Sequence, residues 1–192
     1  MASPRRDQLV ETALTLFAKQ GYHATGIDKI LAEAGVAKMT LYKHFKSKEE
    51  LILAVLRLRD ERFRNGFMRA VEQRAQSPRD RVLAAFDVLE DWIKSDEFYG
   101  CMFINACAEF ASQDDPIHTA AAEHKRLMLG YVKELLRAAG LRDPELLAMQ
   151  FCLLIEGAIV MAQVTGRAAA AGEARTAAEV LLKHALQPAG DG

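Results

Sequence analysis

The chain has 192 residues, half of them hydrophobic, and only five prolines, so it can bury a sizeable core and is not of the disordered class. Alanine and leucine are abundant and period-two runs of β-branched residues are absent, which excludes a sheet-based fold and predicts an all-α protein. The net charge of −1 gives no sign of a nucleic-acid partner until it is divided: residues 1–48 hold eight Lys or Arg against four Asp or Glu, a basic head on a body of net charge −5.

In chain order, Leu9, Ala13, Leu16 and Phe17 recur at helical spacing and predict a first helix over residues 5–20, stopped by Gly21. Thr25 is the expected N-cap of a short helix to residue 33, with Ile27, Ile30 and Leu31 inward. Gly35 suits a positive φ in the tight turn before a third helix over residues 37–45. Ser47 and Glu50 have the spacing of a capping box and open a long helix to about residue 73. Ser77 and Pro78 start a helix that places Val82, Phe86, Leu89, Trp92 and Ile93 inward. A short apolar helix over 101–111, a long one over 117–139 and an apolar one from Pro144 to about residue 164 follow. The last helix lies within 168–186, with Ala177, Val180, Leu181 and Ala185 as its expected inward face.

The first three helices have the proportions of a helix-turn-helix: one supporting, one crossing, one reading. Leu41 and Phe45 lie four apart, so both can point inward. That turns Lys38, Met39, Tyr42 and Lys43 outward, toward base edges in a major groove. Thr40, His44 and Lys48 are placed to meet phosphates, and so is Thr25 at the start of the crossing helix.

Ala13, Leu16, Phe17, Gly21, Tyr22, Thr25 and Ile27 begin a pattern that continues through Gly35-Val36, Thr40-Leu41-Tyr42, His44, Phe45, Lys48 and Leu51. Residues 9–53, so arranged, resemble the DNA-binding domain of the TetR/AcrR family of bacterial transcriptional regulators. The resemblance implies a homodimeric repressor whose N-terminal helices bind operator DNA and whose larger C-terminal domain dimerises and binds a small molecule. Gly26 departs from the second Thr or Ser common in the family. Ala37 stands where a Ser or Thr often caps the reading helix with a hydrogen bond worth about 1 kcal/mol. The position of Met39 varies in the family, so no operator sequence carries over.

In the body, Phe86, Trp92, Phe98, Tyr99, Phe103, Met128, Tyr131 and Met161, with polar Asn105, Glu109, Gln150 and Glu156 among them, are the candidate contacts for a hydrophobic or aromatic effector. The alternative for each apolar side chain is plain core packing. Glu109 and Glu156 lie in apolar helices, where an unpaired carboxylate is costly; each is either a ligand contact or paired, with Arg126 or a histidine for example. His118, Glu123 and His124 lack metal-ligand spacing, so neither a metal nor a cofactor is expected. Cys101, Cys107 and Cys152 match no zinc pattern and read as reduced thiols, although Cys101 at a helix start also has a position that favours a thiolate.

No apolar h-region follows Arg5 and Arg6, and the run from Phe151 to Val164 is short for a membrane span, so a cytoplasmic protein without a membrane partner is expected. The last two helices have broad apolar surfaces that a second subunit would cover. The predicted organisation is a helix-turn-helix domain over residues 1–47 and a ligand-binding and dimerisation domain over 48–192. The predicted function is a dimeric repressor of a pseudo-palindromic operator, released by a small molecule. The rival is an all-helical carrier or enzyme with a basic N-terminal segment. The chain shows no nucleophile–base pair at useful spacing and no phosphate-cradling glycine loop.

Overall fold

Each predicted helix forms, with its ends within two residues of those expected. The computed structural model describes residues 3–186, and among them nine α-helices and no strand. They are α1 (Pro4–Gln20), α2 (Ile27–Ala34), α3 (Lys38–His44), α4 (Lys48–Arg74), α5 (Pro78–Lys94), α6 (Met102–Glu109), α7 (Pro116–Ala138), α8 (Pro144–Thr165) and α9 (Ala170–Leu186). Local chemistry sets several of the ends. Ser77 accepts the Asp80 amide at 3.1 Å and Pro78 fills the first turn of α5, where its missing N–H is no loss. Asp143 accepts the Leu146 amide at 3.3 Å to open α8. Gly35 ends α2 in the left-handed region at φ 62°, its amide donating to Ala32 and Leu31 carbonyls that the helix leaves unpaired.

Two compact units are present, and they do not follow a single cut. The first contains the residues up to 63 together with 101–125; the second contains 64–100 together with the residues from 126 onward. The boundary expected at 47/48 therefore falls inside the first unit, where the three N-terminal helices share a core with the first half of α4, with α6 and with the start of α7. Leu9, Tyr22, Ile30, Leu41, Leu51, Ile52, Leu56 and Ile117 are at most 1% exposed there. Each such burial contributes about 1.5–3 kcal/mol.

In the second unit, α8 packs on α9 and α5, and α9 packs on α5. Phe86 meets Phe151 edge-on at 5.8 Å, and Leu89 on α5 and Leu147, Ile155 and Ile159 on α8 are buried as well. The inward face of α9 is Ala171, Ala174, Ala178 and Leu182. This corrects the expected face: Ala177 is exposed and Val180 is 63% exposed, while Leu181 and Ala185 are half-buried. The three inward alanines let α9 lie close to its neighbours, and Val180 is left outside. Trp92, also expected inward, is only half-buried and meets Phe98 edge-on at 5.0 Å.

By length and composition alone α8 is long and apolar enough to cross a membrane, as core helices of globular proteins also can be, and one side of it, from Leu147 to Ala162, is buried inside the protein. The outward side of α8 carries Leu146, Met149, Leu153, Val160, Met161 and Val164, all exposed.

Candidate nucleic-acid interface

The reading helix α3 is only seven residues long, so its position depends on what holds its inner side. Leu41 is fully buried and Phe45 is 4% exposed. The Gln8 amide on α1 donates to the Ala34 carbonyl at 2.8 Å, fixing the end of α2, and the Val36 amide closes the turn onto Leu31. With that side pinned, Met39 is 85% exposed and Tyr42 50% exposed. Two apolar or aromatic side chains held in water on a helix anchored from behind are poised for contact with a partner. Ala37 occupies the N-cap and makes no side-chain hydrogen bond, as its lack of a hydroxyl dictates.

Around this pair the basic residues are displayed. Lys38 and Lys43 are exposed, and Thr40, His44 and Lys48 are half-exposed. Lys38 Nζ lies 3.7 Å from Asp28 on α2, both side chains mostly in solvent. Such a pair contributes little and can yield to a phosphate. Lys48 Nζ donates to the His23 carbonyl at 3.4 Å. Behind it the expected capping box forms in part: Ser47 Oγ accepts the Glu50 amide at 3.3 Å, while the Glu50 carboxylate reaches past Ser47 to accept the Lys46 amide at 2.7 Å.

Thr25 departs from its expected role. It is 0% exposed, and its hydroxyl donates to the Gly21 carbonyl at 2.8 Å. Gly26, in an extended conformation, is the N-cap of α2. The Thr25 side chain therefore closes the loop between α1 and α2 from inside and is not placed to meet a phosphate. Ile27, expected inward, is half-buried.

That loop is held from the other side by α6. Glu109 accepts the Tyr22 amide at 2.8 Å, the His23 amide at 2.5 Å and, when the ring nitrogen is protonated, His23 Nδ1 at 2.8 Å. The Tyr22 hydroxyl donates to the Met102 carbonyl at 2.9 Å, and the His23 ring stacks on Phe110 at 4.8 Å. Burial opposes ionisation of Glu109, but the hydrogen bonds from His23 and Tyr22 outweigh it and hold the carboxyl below its usual range. Burial also pushes the Tyr22 hydroxyl far up, so it remains a neutral donor. Gly21 begins the loop at φ 82°, and a Cβ there would stand 2.8 Å from Glu109 Oε1. Glu109 was expected as either a ligand contact or a paired carboxylate; the structure gives it His23 and two main-chain amides. The sequence carries no signal for the amides, which meet it only through the tertiary fold.

The other candidate effector contacts are divided. Phe103, Asn105 and Glu109 belong to the first unit; Phe86, Trp92, Met128, Tyr131, Gln150 and Glu156 belong to the second. Phe86 and Phe103 are 1% and 2% exposed and pack as core. Asn105, Met128, Tyr131, Gln150 and Glu156 are half-buried. Tyr131 meets Phe67 edge-on at 6.3 Å, and its buried hydroxyl has no hydrogen-bond partner among the described residues. Burial pushes its pKa up to about 12, so it stays protonated and able to donate. Cys101 is buried with Lys125 Nζ 3.3 Å from its sulfur.

Comparison with known proteins accords with this geometry. The family model described as bacterial regulatory proteins, tetR family, matches residues 9–55, and the model of a tetracyclin repressor-like C-terminal domain matches residues 78–178. The HTH-type transcriptional regulator YjdC of Escherichia coli is 25% identical over 181 residues, covering 94% of this chain and 95% of its own. The HTH-type transcriptional activator FasR of Mycolicibacterium smegmatis is 40% identical over 102 residues, covering 53% of this chain and 46% of its own. The crystal structure of SCO4454, a TetR-family transcriptional regulator from Streptomyces coelicolor, superposes with a TM-score of 0.89 at 32% identity, covering 95% of this chain and 96% of that one. With both halves matched and the reading helix displayed as described, the chain belongs to the tetR family of helix-turn-helix transcriptional regulators.

Proposed function

We propose that this regulator acts as a cytoplasmic homodimer on a pseudo-palindromic operator and releases it when a small hydrophobic or aromatic effector binds. Lys38, Met39, Tyr42 and Lys43 set the sequence preference through the major groove, while Thr40, His44 and Lys48 supply salt-dependent affinity through phosphates. The observation that carries the reading is the outward display of Met39 and Tyr42 on a helix whose opposite side is fixed by Leu41 and Phe45.

The dimer is supported by the exposed stripe of α8, from Leu146 through Met149, Leu153 and Val160 to Val164, beside exposed Val180 on α9. Joined across a two-fold axis, the same stripe on two chains would bury surface that water now covers. The effector is supported by the Tyr131 hydroxyl, a buried donor that a ligand acceptor would satisfy. Effector binding shifts the dimer between operator-competent and operator-incompetent arrangements only by its difference in affinity for the two. The repressor sense rests on the tetracyclin repressor-like C-terminal domain; FasR, described as an activator, shows that a relative can have the opposite sense. The reading assigns no catalytic residue.

The test is to select bound sites from random duplexes and compare the natural chain with Tyr42→Ala on the best one. Tyr42→Ala is expected to lose about tenfold or more in affinity, the scale of one good base contact, with unchanged helical circular dichroism. Full affinity in the variant, or no preferred duplex for the natural chain, would overturn the reading.

A further inference from the structure

The first turn of α1 is packed against the far end of the reading helix. The Arg6 guanidinium lies over the Phe45 ring, 5.3 Å from its centroid, and Phe45 is the residue that ends α3. Two residues on, the Gln8 amide holds the Ala34 carbonyl, so this turn is fixed to the helix-turn-helix at two points. Arg5, beside Arg6, is exposed, and so is Lys46, which follows Phe45. Neither the Arg5 nor the Lys46 side chain makes a hydrogen bond or an ion pair among the described residues. Arg6 Nη1 lies 3.6 Å from the carboxylate of its chain neighbour Asp7, both side chains partly in solvent. Such a pair contributes little and exchanges readily for a stronger anion.

These three cations have no part in the contacts assigned above to α3 and Lys48. They stand at one end of α3, and the carboxylates in contact with them are Asp7 and, through the Lys46 amide, Glu50. The C-terminal end of a helix carries partial negative charge, which repels phosphate, and nearby cations offset it. At about 1.5 Å per residue α3 is about 10 Å long, close to the width of about 12 Å of a major groove. With Lys38, Met39, Tyr42 and Lys43 toward base edges, the segment beyond its C-terminal end stands where the groove gives way to the flanking phosphate strand.

We propose that Arg5, Arg6 and Lys46 form a phosphate clamp at the C-terminal end of the reading helix, with the duplex backbone as its ligand. The Phe45 ring holds the Arg6 guanidinium in place beforehand, so less side-chain freedom is lost on binding. The clamp rests on the operator reading for its placement and deepens it. It carries no sequence information and acts on affinity and register. It also offsets a deficit at the start of α2, where Gly26 has no hydroxyl and Thr25 is turned inward.

The test measures binding of the full chain to the selected duplex and to a random-sequence duplex from about 50 to about 200 mM salt, by fluorescence anisotropy. Arg5→Ala with Arg6→Ala is expected to lower the slope of log affinity against log salt by about 0.9 for each arginine in each bound chain, equally on both duplexes. Arg5→Lys with Arg6→Lys is expected to keep the natural slope, because a phosphate contact needs the charge. Circular dichroism checks the fold, and Arg5→Ala alone, at an exposed position, decides the matter if Arg6→Ala unfolds. An unchanged slope in the alanine pair, a loss confined to the selected duplex, or a lysine pair as weak as the alanine pair would overturn the proposal. If the natural chain prefers no sequence, the operator reading falls, while a reduced slope on the random duplex still supports the clamp. A natural chain that binds neither duplex overturns both.

Discussion

The Glu109 carboxylate accepts from the Tyr22 amide, the His23 amide and the His23 ring, so protonating it weakens three contacts at once. Its pKa in the folded chain is depressed below the usual 4.5. A depressed carboxylate contributes stability that is fully present above its unfolded value and is lost as pH falls through the folded one. Glu109→Ala should therefore cost about 1–3 kcal/mol at pH 7, read from urea unfolding, and the gap to the natural chain should close as the pH drops well below 4.5. Tyr131 makes the opposite case. Its hydroxyl is buried without a partner, so Tyr131→Phe should leave the melting temperature unchanged or higher, and should weaken the effector once one is found by screening. Sequence alone marks Glu109 as expensive, because a carboxylate in the run MFINACAE needs a partner; it names a histidine among the possibilities but has no means of seeing amides eighty-odd residues away. Thr25 misled for a related reason. Threonine before a helix reads as a cap, yet the backbone turns one residue later and Gly26 takes that position.

At the scale of the helix, the periodic apolar pattern locates every element, because spacing of 3–4 residues survives any arrangement of the helices in space. It locates faces less well when two sides are apolar. On α9 the larger Val180 drew the inward assignment, while the alanine side, Ala171, Ala174 and Ala178, is the one that closes on α5 and α8. Close packing favours small side chains, whereas a hydropathy pattern favours large ones. On α3 the local rule held, and Ala37 stands at the N-cap without a side-chain bond. Ala37→Ser should restore it and raise the stability of the first unit by about 1 kcal/mol, seen as a higher thermal midpoint. Operator affinity should change far less, since Ala37 is not among the residues assigned to bases.

For the molecule as a whole, the proposed two-fold assembly rests on the outward stripe of α8. Leu153 is 66% exposed and Val164 76% exposed in the single chain. Leu153→Glu should leave one chain folded, since the side chain is already in water, but should weaken a two-fold assembly by on the order of a hundredfold by burying charge in its centre. Sedimentation measures the assembly, and a parallel fall in operator affinity would show that both reading heads are needed. The grouping into two units was not legible beforehand. A cut after residue 47 follows the motif, while the contacts of Tyr22, His23 and Glu109 bind α6 to the head and leave the second half of α4 with the rest. That grouping depends on packing between segments far apart in the chain, to which no local pattern points.

Gly21 has no room for a side chain, both because its φ is 82° and because Glu109 Oε1 occupies the space. A side chain at residue 21 would have to push the Glu109 carboxylate off the Tyr22 and His23 amides, and the positive φ would strain it even after Glu109 had moved.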